Sequence, residues 1–166
     1  DSGKPLKQGE VGEIQVRGET VMKGYWNKPD ETAETLSADG WLRTGDLGHL
    51  DEKGRLFISA GRKKDLIIRA GENVSPLAIE NVLMSHPAIA EVAAVGIPDE
   101  RVGEKVKVFA VLRQGSQATD QELKDLCRKK LPIFMIPDTF QFMEYLPKTA
   151  TGKILKSELR ETPGGC

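Results

Sequence analysis

Apolar residues recur at helical spacing in two segments of the second half of the chain. The first segment opens at Ser75, a suitable N-cap, with Pro76 at the first helical position, and it ends at Pro87. The second opens at Thr119 and Glu122, which have the spacing of a capping box. We therefore predict two helices, each with one buried apolar face. The residues on these faces are Ile79, Val82, Leu83 and His86 in the first helix and Leu123, Leu126, Cys127 and Leu131 in the second.

Alternation of polar and apolar residues, which indicates strands with one buried face, is found between and after these helices. It predicts strands at 90–96, 105–112 and about 139–143, and the sequence of 155–161 predicts a short helix. The apolar run 133–136 lies between two prolines and is predicted to belong to the core. Because helices and strands interleave here, the pattern predicts an α+β domain large enough for its own core.

The first 60 residues have a different pattern, made of short strands and turns. The tetrapeptide Asp51-Glu52-Lys53-Gly54 ends in a glycine, as a hairpin turn with positive φ requires. The predicted elements are a strand at 13–17, a short helix at 31–36 and strands at 41–47 and 55–60.

Composition and charge exclude several classes of function. The 166 residues include 24 basic and 25 acidic ones, so the net charge of −1 gives no electrostatic argument for binding nucleic acid. No apolar run approaches the roughly 20 residues of a transmembrane segment, and no signal peptide is visible. Cys127 and Cys166 form neither a disulfide framework nor a metal site, and His49 and His86 lack the spacing of metal ligands or of a catalytic triad. We predict no metal site and a cytoplasmic location.

The most informative motif is the heptapeptide KTATGKI at 148–154. A lysine after a glycine at a loop tip can reach a negative charge outside its own domain. The motif is not a P-loop, because Pro147 occupies the position of the first glycine and Ile154 that of the final Ser/Thr. Two further motifs precede it in the chain. They are WLRTGDL at 41–47 and GRKKDLIIRAGEN at 61–73.

These three motifs, in this order, resemble those of the adenylate-forming enzymes. That family includes acyl-CoA synthetases, aryl-CoA ligases, firefly luciferase and the adenylation domains of peptide synthetases. The pair Ile67-Ile68 and the following Gly71-Glu72-Asn73 are more similar to fatty-acyl and medium-chain acyl-CoA synthetases than to luciferase, which carries a lysine at the position of Ile68. The resemblance implies a small, mobile C-terminal α+β domain, preceded by β-rich strands from the end of the large N-terminal domain.

For adenylation, the resemblance implies three residues. Lys153 matches the lysine that assists formation of the acyl-adenylate, a step in which two anions must approach each other. Asp46 matches the carboxylate that accepts hydrogen bonds from the ribose hydroxyls of ATP, and Arg62 matches a second ribose or phosphate contact. Lys148 also lies in the motif, but family precedent gives it no catalytic role, so we interpret it as a surface cation.

For the second half-reaction, the resemblance implies a hinge and a loop that contacts CoA. Lys64 occupies the hinge position, about which family members swing the small domain between a pose for adenylation and a pose for thioester formation. Gly71 would let the backbone approach the pantetheine arm of CoA, because it has no Cβ. Ala70 and Glu72, on either side, are weaker candidates for the same contact.

The resemblance also suggests domain limits. We predict that 1–63 is the end of the large AMP-binding domain, that 64–161 is the mobile C-terminal domain, and that 162–166 is a disordered tail. The chain begins at Asp1 without an initiator methionine and contains no Ser/Thr/Gly-rich phosphate loop, which the family places far upstream. We therefore expect the C-terminal part of a longer enzyme, inactive by itself.

The expected enzyme is an ATP-dependent acyl-CoA synthetase, an acid–thiol ligase that makes acyl-AMP and pyrophosphate and then acyl-CoA and AMP. Its expected cofactors are ATP, CoA and Mg²⁺, with the Mg²⁺ ligands outside this segment. The expected partners are the N-terminal domain of the same chain and a carboxylic acid. Two alternatives remain open: an adenylation domain that loads a carrier protein, and a non-catalytic binding module of the same fold.

Overall fold

A computed structural model describes residues 4–162 of the chain. The chain divides into two compact units, and the division lies between Lys64 and Asp65. Each unit has its own sheet and is described by itself below.

The first unit is built on a three-stranded antiparallel sheet in the order β1-β2-β3. The predicted hairpin turn joins β2 to β3, and Gly54 has φ of +74° there. Several apolar side chains of β2 and β3 are exposed within this unit, among them Leu56, Phe57 and Ile58. The elements are β1 (Gly12–Val16), α1 (Pro29–Thr35), β2 (Leu42–Leu50) and β3 (Leu56–Arg62).

The second unit combines a five-stranded sheet with three helices. The sheet has the order β5-β4-β7-β6, and β8 pairs with β7 in parallel. A 3₁₀ turn at Lys63–Asp65 leads into this unit. The elements are β4 (Ile67–Arg69), β5 (Glu72–Val74), α2 (Pro76–Met84), β6 (Ile89–Asp99), β7 (Gly103–Leu112), α3 (Asp120–Lys130), β8 (Thr139–Phe142) and α4 (Lys156–Glu161), with a second 3₁₀ turn at Ile133–Met135.

Strand β7 contributes side chains to an apolar cluster on each face of this sheet, because its residues alternate between the faces. Val106 and Val108 belong to the larger cluster, which α2 and α3 cover, whereas Phe109 belongs to the smaller one, which includes Leu159 of α4. Burial on both faces of the sheet explains the near-continuous apolar sequence of β6 and β7.

The predicted α+β fold is confirmed, and most predicted elements occur close to their predicted positions. Ser75 caps α2 by accepting a hydrogen bond from the Ala78 N–H, and Thr119 and Glu122 form the predicted capping box. In the predicted tail, Thr162 is the C-cap residue of α4, and 163–166 lie outside the described residues.

Three features of the structure differ from the predictions made from the sequence pattern. The prediction that 133–136 lies in the core fails for Ile133, whose exposed fraction is 84%, because the flanking prolines hold this run in a surface 3₁₀ turn. His86 lies beyond the end of α2 and is only partly buried, since the helix ends at Met84. The short strands β4 and β5 were not predicted.

Candidate functional site

Residues 147–155 form a short hairpin, called the lysine hairpin below. Its arms are joined by a bridge between Lys148 and Ile154 and by a hydrogen bond of 2.8 Å from the Leu155 N–H to the Pro147 carbonyl. The side chain of Ile154 packs on the smaller apolar cluster of the sheet. The base of the hairpin is therefore fixed to the body of the second unit.

The tip of the lysine hairpin presents Lys153. The Thr149 N–H donates to the Lys153 carbonyl at 2.8 Å, and the Lys153 N–H donates to Thr149 Oγ1 at 3.1 Å. Gly152 has φ of +81°, a conformation that residues with a Cβ rarely adopt. The tip is therefore a hydrogen-bonded turn.

The ammonium group of Lys153 is exposed, and no residue between 4 and 162 forms an ion pair or hydrogen bond with it. The other lysine of the motif is different. The Lys148 ammonium lies 2.8 and 2.7 Å from the two carboxylate oxygens of Glu91 on β6. Of the two motif lysines, only Lys153 is therefore available to an external anion.

Asp46 and Arg62 lie opposite each other on β2 and β3. Arg62 Nε is 3.3 Å from Asp46 Oδ1, and both side chains are at least one-third exposed. Thr44 orients the turn before Asp46, because its Oγ1 accepts the Asp46 N–H at 3.1 Å and donates to the Ile14 carbonyl at 2.8 Å. The structure thus brings together two of the residues predicted to contact ATP, as an accessible ion pair.

Lys64, the predicted hinge residue, is the central residue of the 3₁₀ turn Lys63–Asp65 and is exposed. The next residue, Asp65, accepts a hydrogen bond of 3.2 Å from Arg160 of α4. Asp65 is accordingly tied to the second unit, whereas the Lys64 side chain forms no hydrogen bond or ion pair within residues 4–162.

Ala70 and Gly71 are the two central residues of the turn between β4 and β5. Both have positive φ, +51° and +84°, the combination found in type I′ hairpin turns. A Cβ placed on Gly71 would meet nothing within 4 Å, so the backbone there is open to approach. Glu72, the third residue predicted to contact CoA, is exposed at the start of β5.

A cavity of about 530 Å³ adjoins this turn at Arg69, and it carries a set of cations that the sequence analysis missed. The Arg69 guanidinium donates to the carbonyls of Phe134 and Ile136 and pairs with Asp138 at 2.8 Å, so its charge is largely committed. Lys124 and Arg128 of α3 supply further positive charge. Lys124 lies in the middle of α3, whereas Arg128 lies in its last turn and pairs with Asp125 at 2.7 Å. The other lining residues are Leu131, Ile133, Ile136, Pro137 and Asp138.

Two buried titratable groups lie elsewhere. Burial raises the pKa of the Cys127 thiol to about 11, so this cysteine stays protonated and unreactive at neutral pH. Burial also lowers the pKa of Lys107, whose ammonium lies 4.6 Å from the centroid of the Phe109 ring. Within residues 4–162 no group of acidic, histidine or cysteine side chains could hold a metal ion.

Comparison with known proteins shows which family and which enzymes the chain resembles. Residues 78–153 match the family described as AMP-binding enzyme C-terminal domain. The chain is 48% identical over 161 residues to a long-chain-fatty-acid–CoA ligase of Bacillus subtilis, covering 97% of this chain and 28% of that protein. It is 46% identical to a fatty acid–acyl-carrier-protein ligase of Streptomyces coeruleorubidus, covering 96% of this chain and 30% of that protein.

A solved structure gives the same assignment. The o-succinylbenzoate CoA synthetase of Bacillus subtilis, in complex with its acyl-adenylate intermediate, matches with a TM-score of 0.91 and 38% identity, over 99% of this chain and 33% of that one. The chain thus spans about 30% of the length of the relatives it matches. None of the helices within residues 4–162 is long and apolar enough to cross a membrane. Residues 78–153 thus match the C-terminal domain of the AMP-binding enzymes, and the chain as a whole is similar to part of adenylate-forming CoA ligases.

Proposed function

We propose that the chain is the C-terminal part of an ATP-dependent acyl-CoA synthetase. In the first half-reaction a carboxylate oxygen forms a bond to the α-phosphorus of ATP, and the bond to the departing pyrophosphate breaks. In the second, the sulfur of CoA forms a bond to the acyl carbon, AMP leaves and the thiol proton is lost. The observation that carries the proposal is the exposed, unpaired ammonium of Lys153 on a hydrogen-bonded turn.

Lys153 would act in the first half-reaction. Negative charge accumulates where the carboxylate meets the α-phosphate, and a cation held there stabilises the transition state more than the separate anions. A lysine ammonium suits this role because it is a compact charge that can contact oxygens of both reactants. Mg²⁺ would neutralise the phosphates of ATP, through ligands outside residues 4–162.

Asp46 and Arg62 would hold the nucleotide. In the structure they neutralise each other across the two strands, and both remain accessible. A ribose diol can donate two hydrogen bonds to the Asp46 carboxylate, while the remaining N–H groups of Arg62 can contact the nucleotide. The ion pair therefore keeps two ligand groups in place before ATP arrives.

The turn at Ala70 and Gly71, with its neighbour Glu72, would contact CoA after rotation about Lys64. Gly71 is open to approach by the thin pantetheine arm, and the adjoining cavity contains the cations Lys124 and Arg128. CoA carries phosphate groups next to an apolar arm. A cavity lined by apolar side chains and several cations, whose one carboxylate, Asp138, is paired with Arg69, fits this chemistry.

A second candidate acceptor is the thiol of a carrier protein. It is favoured by the 46% identity to a ligase named for an acyl-carrier protein. Offering the full-length enzyme CoA and a pantetheinylated carrier protein in separate assays distinguishes the two acceptors. Formation of the thioester on the carrier alone would assign this second function.

The adenylation activity is tested by acid-dependent exchange of labelled pyrophosphate into ATP. With a panel of carboxylic acids that begins with fatty acids, the full-length enzyme should catalyse exchange. The 166-residue chain alone should not, because two or three hydrogen bonds of about 1 kcal/mol each do not offset the cost of association. Micromolar ATP binding by this chain alone would instead support a stand-alone binding module.

Replacing Lys124 with alanine tests the CoA cavity. Losing one charged hydrogen bond, about 1.5–3 kcal/mol, should raise the KM for CoA by about tenfold or more and leave pyrophosphate exchange unchanged. Lys129→Ala is the matched control, since this exposed lysine lies on the same helix but does not line the cavity. Equal KM values in both variants would remove the cavity from the CoA site.

A further inference from the structure

An ion pair lies directly behind the lysine hairpin, at the start of α4. The Lys156 ammonium is 2.7 Å from Glu80 Oε1, and both side chains are more than four-fifths buried. Lys156 follows Lys153 by three residues, which at most 3.6 Å per residue limits their Cα atoms to about 11 Å apart. The two residues are therefore joined by a short stretch of chain, in which Ile154 packs on the smaller apolar cluster.

The same carboxylate oxygen joins three elements of the second unit. Glu80 belongs to α2, and its Oε1 also accepts the Ala94 N–H of β6 at 2.9 Å. The ammonium that it binds belongs to the first residue of α4. Because the Ala94 N–H fixes the carboxylate to the central sheet, the carboxylate in turn gives Lys156 a fixed anchor.

Burial makes this pair different from the exposed ion pairs of the chain. Exposed pairs contribute little, because water screens them and both side chains lose freedom when they pair. A pair shielded from water interacts more strongly, and one partner left without the other is unfavourable. Apolar packing supports the same region, since Leu159 of α4 and Ile154 of the hairpin both belong to the smaller apolar cluster.

We propose that Glu80 and Lys156 are positioning residues that hold the lysine hairpin so that Lys153 meets the reacting carboxylate and phosphate. The proposal rests on the proposed function of Lys153 in adenylation. Neither residue contacts a reactant in this role; each acts through the direction in which the hairpin projects. A displacement of about 1 Å in a catalytic group can reduce the rate by about 100-fold.

The test uses the full-length enzyme with Lys156→Met and Glu80→Gln, assayed separately for the two half-reactions. Lys156→Met retains the length of the side chain, and Glu80→Gln retains an oxygen that can accept the Ala94 N–H. Each variant should lower kcat for adenylation by about tenfold or more, with less than about a threefold change in the KM for ATP. Both variants should convert supplied acyl-adenylate to acyl-CoA at close to the wild-type rate. The conservative variant Lys156→Arg should adenylate at close to the wild-type rate.

A double variant separates positioning from general damage to the fold. If Lys156 acts only through Lys153, adding Lys156→Met to Lys153→Ala should slow adenylation no further, because the two residues act as one unit. Additive losses, equal losses in both half-reactions, or normal adenylation by Lys156→Met and Glu80→Gln would overturn the proposal. Normal adenylation by Lys153→Ala itself would instead overturn the proposed function on which it rests.

Discussion

Lys153→Ala in the full-length enzyme should slow adenylation by about 100-fold or more, because the transition state loses its counter-charge. Stability should change by no more than about 0.5 kcal/mol, since the ammonium is exposed and has no partner within residues 4–162. Thioester formation is proposed to use the other pose, in which the hairpin does not face the reactants. The variant should therefore convert synthetic acyl-adenylate to acyl-CoA at close to the wild-type rate.

Pyrophosphate exchange and a thioester assay with supplied acyl-adenylate measure the two rates, and thermal unfolding checks the fold. Lys53→Ala is the matched control, because Lys53 is an exposed lysine in the turn between β2 and β3. This control should leave both rates unchanged. Loss of both half-reactions together with early unfolding of Lys153→Ala would assign Lys153 a structural role.

Local signals in the sequence were sufficient to predict most helices and strands. Ser75 and the pair Thr119 and Glu122 cap their helices by hydrogen bonds to residues three positions away, so the information lies within one turn. Alternation along the sequence of β7 likewise predicted the strand, but it predicted one buried face, whereas the structure buries both. The capping interactions depend little on the rest of the fold, which is why sequence patterns identify them.

The short hairpin of β4 and β5 could not be predicted in the same way. Each strand has only three residues, and the turn Ala70-Gly71 lacks the Asn-Gly or Asp-Gly signature of type I′ turns. Its position depends on distant contacts instead. The Ile68 N–H donates to Glu104 at 2.6 Å, and Arg69 reaches Asp138, 69 residues along the chain.

Prediction of the candidate site from the sequence was limited in the same way. Its motifs predicted Lys153, Asp46 and Arg62 as site residues, yet they did not predict that Asp46 and Arg62 pair with each other. This pairing depends on the register of β2 against β3, which includes an irregularity after Leu47. The cationic cavity was missed for a similar reason, because its residues come from β4, α3 and the segment before β8.

The second large effect is expected from Lys64→Pro in the full-length enzyme. Proline fixes φ near −65° and restricts the preceding residue, Lys63, as well. If the units rotate about Lys64, the enzyme should be held in the pose that tolerates this geometry. The rate of one half-reaction should then fall by about tenfold or more relative to the rate of the other. The affinity for ATP should change little.

Lys64→Ala is the control for this prediction, because a hinge depends on backbone freedom. The exposed Lys64 side chain forms no hydrogen bond or ion pair within residues 4–162. Alanine leaves φ free, so both half-reactions should proceed within a few-fold of the wild-type rate. The two rates are measured as for Lys153, and circular dichroism establishes that both variants are folded. If a folded Lys64→Pro enzyme lost both half-reactions equally, the rotation would have to occur elsewhere in the chain.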